Sequence, residues 1–188
     1  MGVFIVVNVS SGDDLTFLAE VLNRMESDYP GTDEWEDSPF KWILAQPSAT
    51  KGAIGRRLVT YWAYSLGIFP RQVSKEKQIY LQLNDALIQV KFSTLWDTGY
   101  YRFQQIRDMD YDFCLCFGLA PLDMNAWLIP KEVLDTHVIS TKGQHTGSGS
   151  GETWWLETPP NSTEAWLQDC GGQLADVGQQ LRLLASAN

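Results

Sequence analysis

The sequence predicts an α/β fold with a mixed sheet flanked by helices, and three patterns support this prediction. Apolar residues at helical spacing fill 51–67. Two strand-like runs, 77–83 and 86–93, flank the turn-forming pair Asn84-Asp85, which is the arrangement of a tight β-hairpin. The apolar run 112–119 has the length of a buried strand and is too short for a typical helix.

The first part of the chain has two helical patterns separated by an acidic loop. Residues 3–9 have the pattern of a short buried strand, and Asp13 or Asp14 caps the helix that follows. After the acidic loop, the second helix opens at 51–55, and Gly67 ends it. The apolar stripe of this second helix consists of Leu58, Val59, Trp62 and Leu66.

The later elements alternate between strand-like and helical patterns. A brief strand is predicted at 71–74, before the hairpin, and a helix at about 100–109, after it. A helix in that place permits a crossover between the hairpin and the strand at 112–119, so the sheet is expected to be mixed. A further short strand is predicted at 126–129, and a Gly-rich loop at 141–152. The final helices are one capped by Ser162 or Thr163 that runs to Asp169, and one at 173–185.

Length and charge bound the organisation of the protein. The chain has 188 residues and suits one domain, with an N-terminal extension at 1–47, a core at 48–131 and a C-terminal part of loop and helices at 132–188. Its net charge is −9, whereas proteins that bind nucleic acid usually carry a basic surplus that neutralises phosphate. The total charge therefore argues against tight, non-specific DNA binding and still allows a local basic face.

The cysteines and the N-terminal apolar run indicate the compartment. The three cysteines Cys114, Cys116 and Cys170 are odd in number and lack the spacing of a disulfide framework, which predicts a reducing, cytoplasmic environment. Cys114 and Cys116 fall on one face of an apolar strand, so we expect buried small hydrophobic side chains rather than metal ligands. The apolar run 3–7 is too short for a signal peptide or a membrane span, and no membrane association is expected.

The two-residue turn fixes the register of the hairpin. With Asn84 and Asp85 as the loop, Tyr80 faces Gln89 and Gln78 faces Lys91. Because side chains alternate along a strand, these four polar residues share one face, which we predict to be turned away from the core. The opposite face is predicted to be core and carries Ile79, Leu81, Leu83, Ile88, Val90 and Phe92.

Gln89-Val90-Lys91 places a lysine two residues after a polar residue on a strand, as many DNA-cutting enzymes do in half of a metal site. Such sites need carboxylates to hold Mg²⁺, which stabilises charge and activates water, while the lysine assists the nucleophile. Here Gln89 offers a neutral carbonyl oxygen, and Tyr80 offers a phenol that stays protonated near neutral pH. Glu76 lies further along the incoming strand. The simpler interpretation of Gln89 and Lys91 is an exposed strand face.

Several short segments occur in the order found in a known family, namely GAIG at 52–55, IQVKFSTLW at 88–96, GYYRFQQIR at 99–107, YDF at 111–113 and WLIPK at 127–131. These segments resemble the restriction-endonuclease-like proteins of the PD-(D/E)XK superfamily. The core of that superfamily is helix, three-stranded meander, helix, strand (αβββαβ), which is the order predicted above. The resemblance covers about 48–131 and extends to Gln144-His145 and to 154–172.

The resemblance implies three acidic positions, which fall at or near Arg56, on Tyr80 and on Gln89, and none of these residues is acidic. Gln89 alone still resembles the Gln-X-Lys pattern of methylation-dependent members of the superfamily. A shift of the hairpin register would bring Glu76 or Asp85 into place instead of Tyr80. The residues implied at the catalytic position are Lys91, Gln89, Tyr80 and Glu76. No resident metal is expected, and Mg²⁺ is the implied cofactor only of an active enzyme.

A second group of residues is predicted to contact DNA. Arg102, Gln105 and Arg107, with the neighbouring Gln104, resemble a family helix that contacts phosphates or bases, and a solvated helix face is the alternative. His145 lies in the Gly-rich loop, where it is predicted to reach a phosphate. A metal role is not expected for it, because the sequence has one other histidine and no cysteine at zinc spacing.

Three functions follow from the residues and the resemblance. The first is a degenerate, catalytically weak or inactive nuclease-like protein that binds DNA or a partner protein. The second is an active Mg²⁺-dependent DNA endonuclease with a variant Gln-X-Lys site. The third is a protein-interacting subunit, either a partner or an inhibitor of a nuclease, or a homodimer. The net charge of −9 favours the third over free DNA binding.

Overall fold

The structure is a computed structural model that describes residues 33–139, 143–144 and 153–187, together with residues 18, 20 and 21. The predicted strand at 3–9, the helix capped at Asp13 or Asp14 and the loop residue His145 lie outside the described residues. The chain divides into two units, residues 1–36 and 37–188. The first unit contains a 3₁₀ turn at Asp33–Trp35, and all other elements described below belong to the second.

The second unit contains nine strands and four α-helices among its described residues. The helices are α1 Ser48–Ser65, α2 Lys131–Leu134, which continues into a π-helical turn at Asp135–Ile139, α3 Ala165–Gln168 and α4 Leu174–Ser186. The strands are β1 Arg71–Lys75, β2 Gln78–Leu83, β3 Ala86–Thr94, β4 Tyr101–Ile106, β5 Phe113–Leu119, β6 Met124–Pro130, β7 Gly143–Gln144, β8 Thr153–Thr158 and β9 Gly171–Gln173. None of the helices in the described part of the chain is long and apolar enough to cross a membrane.

A six-stranded mixed sheet forms the centre of the second unit. Its strand order is β1-β2-β3-β5-β6-β9, in which β3 and β5 run parallel and every other neighbouring pair is antiparallel. A smaller antiparallel sheet has the order β4-β8-β7. The predicted α/β class, a mixed sheet flanked by helices, is therefore confirmed.

Both faces of the large sheet are covered. On one face, Val59 of α1 and Val177 of α4 pack with Leu115 and Leu128 of the sheet. Helix α1 approaches β3 closely at Gly55, where an added Cβ would lie 2.3 Å from the Cβ of Phe92. On the other face, the small sheet and α2 bury a second cluster. The principal side chains of that second cluster are Tyr80, Cys114, Cys116, Trp127, Tyr101, Phe103, Leu156 and Leu134.

The hairpin formed by β2 and β3 has the predicted register. Leu83 pairs with Ala86 and Leu81 pairs with Ile88, so the loop consists of the two predicted turn residues. Asn84 has a φ of 50°, a left-handed conformation that Asn adopts more readily than most residues. Its side-chain amide also donates hydrogen bonds to the carbonyls of Leu184, Ala185 and Ala187 at the end of α4.

The predicted helix at about 100–109 is wrong, because this segment contains strand β4. Tyr101, Phe103 and Ile106 are all buried, and a β-bulge between Phe103 and Ile106 shifts the pairing of β4 with β8. Because of the bulge, the buried residues lie two and then three positions apart in the sequence. This spacing resembles that of the residues on one face of a helix. The chain between the parallel strands β3 and β5 thus passes through a strand of the second sheet.

The remaining predicted elements are present with shifted bounds. The strand predicted at 71–74 is β1, and that predicted at 126–129 is the longer β6. The helix predicted to run to Asp169 is α3, and the final helix is α4. Strands β7, β8 and β9 were not predicted, and β7 falls in the segment predicted as a Gly-rich loop. The boundaries proposed for an extension, a core and a C-terminal part stay a prediction.

Candidate functional site at Lys91

Lys91 lies on β3, in the middle of the large sheet. In the parallel pairing of β3 with β5, Gln89 lies next to Cys114 and Lys91 next to Cys116. These four residues therefore form two adjacent rows on one sheet surface. The covering layer above this surface is the small sheet, which Ser93 helps to hold by accepting a hydrogen bond of 2.9 Å from the backbone N–H of Arg102.

The prediction that this face is turned away from the core is wrong. Tyr80 is 1% exposed and Gln89 is 3% exposed, and both lie under the covering layer. The ring of Tyr80 lies 6.2 Å from the ring of Tyr111. Conversely Ile79, which was predicted to be core, is 41% exposed. A helix predicted in place of β4 leaves no second sheet to cover these residues, which is why the prediction turned this face toward solvent.

The ammonium group of Lys91 is held by the backbone of β4. Its Nζ donates a hydrogen bond of 2.5 Å to the carbonyl oxygen of Gln105. Gln105 has a φ of 55° and lies within the bulge, so the irregular backbone turns this carbonyl toward Lys91. The contact replaces part of the hydration that the half-buried ammonium group loses.

Burial lowers the pKa of the Lys91 ammonium group, and the neighbouring charges act in both directions. The thiols of Cys114 and Cys116 oppose the lowering, whereas the guanidinium groups of Arg107 and Arg56 add to it. Arg56 is the residue after Gly55, at the close approach of α1 to β3. The surroundings of Lys91 thus combine two cationic groups with two thiols.

The two thiols beside Lys91 form a close buried pair. The Sγ atoms of Cys114 and Cys116 lie 3.9 Å apart, and both residues are fully buried. The hydrogen bond from Cys116 lowers the pKa of the Cys114 thiol, while burial raises the pKa of the Cys116 thiol. The expectation that these cysteines are buried is confirmed. Their position beside Lys91 was missed, although strand alternation combined with β3–β5 pairing would have indicated it.

Gln89 is a buried amide whose polar atoms find no hydrogen-bond partner in the described part of the chain. Neither its Oε1 nor its Nε2 has a partner among the described residues. A buried polar group that loses its hydrogen bonds to water destabilises a fold by about 1–3 kcal/mol. Such a group is rare in native structures.

Tyr80 and Glu76 lie toward the other end of β2. Leu81 pairs with Ile88, and Tyr80 is the residue before Leu81 on β2. Burial raises the pKa of the Tyr80 phenol, and the nearby Glu76 raises it further. Glu76 is exposed and has a φ of 51° in the turn between β1 and β2, rather than lying along the strand. A neighbouring ion pair joins Lys75 to Asp110.

The residues predicted to contact DNA are placed differently from one another. The guanidinium of Arg102 lies 4.2 Å from the ring centre of Trp96 and 4.8 Å from that of Trp155, and its Nε donates to Glu157 at 3.0 Å. Gln105 is exposed and supplies its carbonyl to Lys91. Arg107 acts on the charge of Lys91. Of these residues, Gln105 contacts Lys91 directly, and Arg102 is held in a separate stack.

The residues around Lys91 do not fit a magnesium ion. Mg²⁺ requires oxygen ligands, usually including carboxylates, in near-octahedral geometry. The oxygen donors of Gln89 and Tyr80 are a neutral amide and a phenol with a raised pKa, and the nearby thiols are soft ligands. Within residues 33–139, 143–144 and 153–187, no group of three or more His, Cys, Asp or Glu side chains is arranged to hold a metal ion.

No protein-family model and no curated protein matches the chain. Among solved structures, that of a bacterial homing endonuclease is similar to it, with 15% sequence identity and a TM-score of 0.44. The similarity covers 73% of this chain and 95% of the endonuclease chain. The function of the site therefore has to be inferred from its own residues and geometry.

Proposed function

We propose that this protein is a degenerate nuclease-like protein that binds DNA without hydrolysing it. The observation that carries the proposal is the state of Lys91. Its ammonium group donates to a backbone carbonyl, it lies beside a neutral amide and two thiols, and two guanidinium groups act on its charge, where a nuclease would need carboxylates. The resemblance of the sequence to restriction-endonuclease-like proteins supplies the nuclease part of the proposal.

The charges around Lys91 support an anionic ligand. Arg56 and Arg107 both disfavour the charged form of Lys91, so the three cations repel one another in the unbound protein. An anion such as a backbone phosphate would relieve this repulsion and release the counterions condensed on DNA. Lys91, Arg56 and Arg107 are cationic groups that would attract a DNA backbone in a protein whose net charge is −9.

We do not propose hydrolysis, because neutral or cationic residues occupy the positions where metal-assisted cleavage would need acids. Metal-assisted cleavage needs a bound cation to activate water and to stabilise charge on the phosphate. Gln89 holds the position two residues before Lys91, where the resemblance implies an acid, and it has no charge to attract that cation. Arg56 stands at another position where an acid is implied and would repel a cation.

Fluorescence anisotropy with a labelled duplex tests the binding. We expect measurable affinity at low salt without divalent cations, with a log–log salt slope of about −0.9 for each phosphate neutralised. The substitution Arg107→Glu should weaken binding and reduce the slope by about one contact. Arg182→Glu, at an exposed position on α4, makes the same charge change and serves as the control.

The same samples are then incubated with Mg²⁺ or Mn²⁺ and examined for cleavage. Intact DNA, with binding that depends on Arg107, supports the proposal. Cleavage that Lys91→Ala abolishes would instead establish an active endonuclease with a variant Gln-X-Lys site. Equal loss of binding in the Arg107 and Arg182 variants would show that only total charge matters and would overturn the proposed DNA site.

A protein-binding function is the second candidate, and one surface feature favours it. Tyr61, Tyr64 and Phe69 are 61%, 42% and 75% exposed at the end of α1, and their rings contact one another. Clustered exposed aromatic side chains are typical of protein interfaces. If no DNA binds at low salt, this aromatic cluster becomes the first candidate for contact with a partner protein or a second copy. Analytical ultracentrifugation of Phe69→Ser against the wild type tests the homodimer.

A further inference from the structure

A pocket of about 550 Å³ opens on a part of the second unit that does not include the Lys91 site. It lies between α4, the adjoining ends of β5 and β6, and the short helical segments around α2 and α3. Its floor is apolar, and its principal lining residues are Phe113, Leu128, Pro130, Val133, Leu183 and Leu184. Its volume is within the range of about 300–1,000 Å³ that is usual for small-molecule sites.

The edge of the large sheet explains why this pocket exists. Strand β9 pairs with β6 only from Asn125 to Trp127, so the last residues of β6 have β5 on one side and no described strand on the side of β9. The backbone N–H of Leu128 donates to the carbonyl of Cys170 at 2.9 Å, which brings the end of α3 against this edge. Pro130 has no N–H to pair, so the edge can stay open at that point without an unsatisfied donor.

One wall of the pocket is flat and fixed. The imidazole of His137 lies parallel to the indole of Trp166, with ring centres 4.6 Å apart and an interplanar angle of 1°. The indole N–H of Trp166 donates to a carboxylate oxygen of Glu164 at 2.5 Å. Because the stack and this hydrogen bond restrain the indole, an aromatic ligand could pack in the pocket with little further ordering of the protein.

The polar groups of the pocket are few, and the carboxylate among its lining residues is that of Asp169. Asp169 and Gln180 are part of the lining, and Glu164 is bound to the Trp166 ring. No Lys or Arg is among the lining residues. An apolar pocket with a carboxylate in its lining favours a ligand that has a flat apolar body and a positive charge. We propose that this pocket is a binding site for a small aromatic cation.

Isothermal titration calorimetry with proflavine, a flat three-ring cation, tests the site. We expect saturable one-to-one binding to the wild-type protein. Leu184→Trp and Gln180→Trp each place an indole in the pocket, and each should weaken binding by at least about tenfold. Asp169→Asn removes the charge and should weaken it by about three- to tenfold. Retained thermal unfolding transitions establish that the variants are folded.

Matched controls separate this site from general adhesion to an acidic protein. Leu122→Trp adds an indole at a 79% exposed position away from the pocket, and Asp176→Asn removes a carboxylate from the first turn of α4. Both should bind proflavine like the wild type. Acridine, the same ring system without the positive charge near neutral pH, should bind more weakly. Unchanged affinity in both pocket-filling variants would overturn the site, and equal affinity for acridine would overturn the cationic ligand class.

Discussion

In the described core, the side chains around Gln89 form no hydrogen bond with either polar atom of its amide. Its neighbour on β5 is a cysteine, which can offer only a weak donor or acceptor. At the scale of single residues, this amide is the least well accommodated group in the described core. Alternation along the strand predicted that Gln89 shares a surface with Lys91. It could not predict burial, because the covering layer comes from residues far away in the chain.

Replacing the amide with an apolar group of similar length should stabilise the protein. We expect Gln89→Met to raise the free energy of unfolding by about 1–2 kcal/mol, because the buried atoms no longer need hydrogen bonds. Urea denaturation measures this change. Gln104→Met, on the exposed part of β4, should change stability by no more than about 0.5 kcal/mol. A less stable Gln89→Met protein would mean that the amide is hydrogen-bonded in solution.

Lys91 should make stability depend on pH in a defined direction. Its folded-state pKa is lowered below the ordinary value of 10.5 by burial. Between the lowered pKa and 10.5, the unfolded chain holds a proton that the folded protein has released, so Lys91 makes stability rise with pH in that window. Below the lowered pKa, the folded protein carries the destabilising buried charge. Lys91→Met should therefore remove this rise.

Lys75 provides a control of opposite sign for that measurement. The hydrogen bond that Lys75 donates to Asp110 raises the pKa of Lys75, so its stabilising contribution is full below 10.5 and is lost as pH rises through the raised value. Urea denaturation across this pH range should show opposite differences from the wild type for Lys91→Met and Lys75→Met. The same sign in both variants would contradict the burial of the Lys91 charge.

At the scale of secondary-structure elements, the hairpin and α1 were predictable from local sequence patterns, whereas the bulged strand β4 was not. The turn at Asn84-Asp85 and the apolar alternation beside it identified the hairpin and its register, because both lie within a short stretch of chain. The stripe of α1 was equally local. Strand β4 was missed because its bulge broke the period of two. Its partner β8 begins 47 residues after β4 ends, so the pairing of the two strands is non-local.

The bulge itself can be tested at Gln105, which has a φ of 55°. Gln105→Gly should keep the bulge and stabilise the protein by up to about 1 kcal/mol, because glycine adopts this conformation without strain. Gln105→Val should destabilise it by about 1–3 kcal/mol, because a β-branched side chain disfavours positive φ. Thermal unfolding gives both values. Equal stability of the two variants would show that the bulge does not require this backbone conformation.

At the scale of the whole second unit, the hairpin and the last helix are tied together. The side chain of Asn84 donates to three carbonyls at the end of α4, which otherwise lack partners within the helix. This tie joins residues about a hundred positions apart, across the helical layer of the fold. The sequence predicted the turn and the helix separately but gave no sign of their contact, because nothing local connects them.

Two substitutions at Asn84 separate its backbone role from its side-chain role. Asn84→Gly keeps the positive φ and loses the amide, and it should reduce stability by about 1–2 kcal/mol. Asn84→Ala also strains the turn and should cost about 1 kcal/mol more. Hydrogen exchange should show faster opening of the last turn of α4 in both. Glu76→Gly, in the other tight turn with positive φ, should leave that exchange unchanged.

The hydrogen bond between Lys91 and the Gln105 carbonyl also affects how fast a ligand can bind. The Lys91 ammonium group has three N–H donors, and a ligand that takes the one directed at this carbonyl can bind only after the contact opens. The observed rate of association would then rise with ligand concentration and reach a plateau equal to the opening rate. The association rate at this site would then be limited by the opening of the contact with the bulged strand rather than by the frequency of collisions.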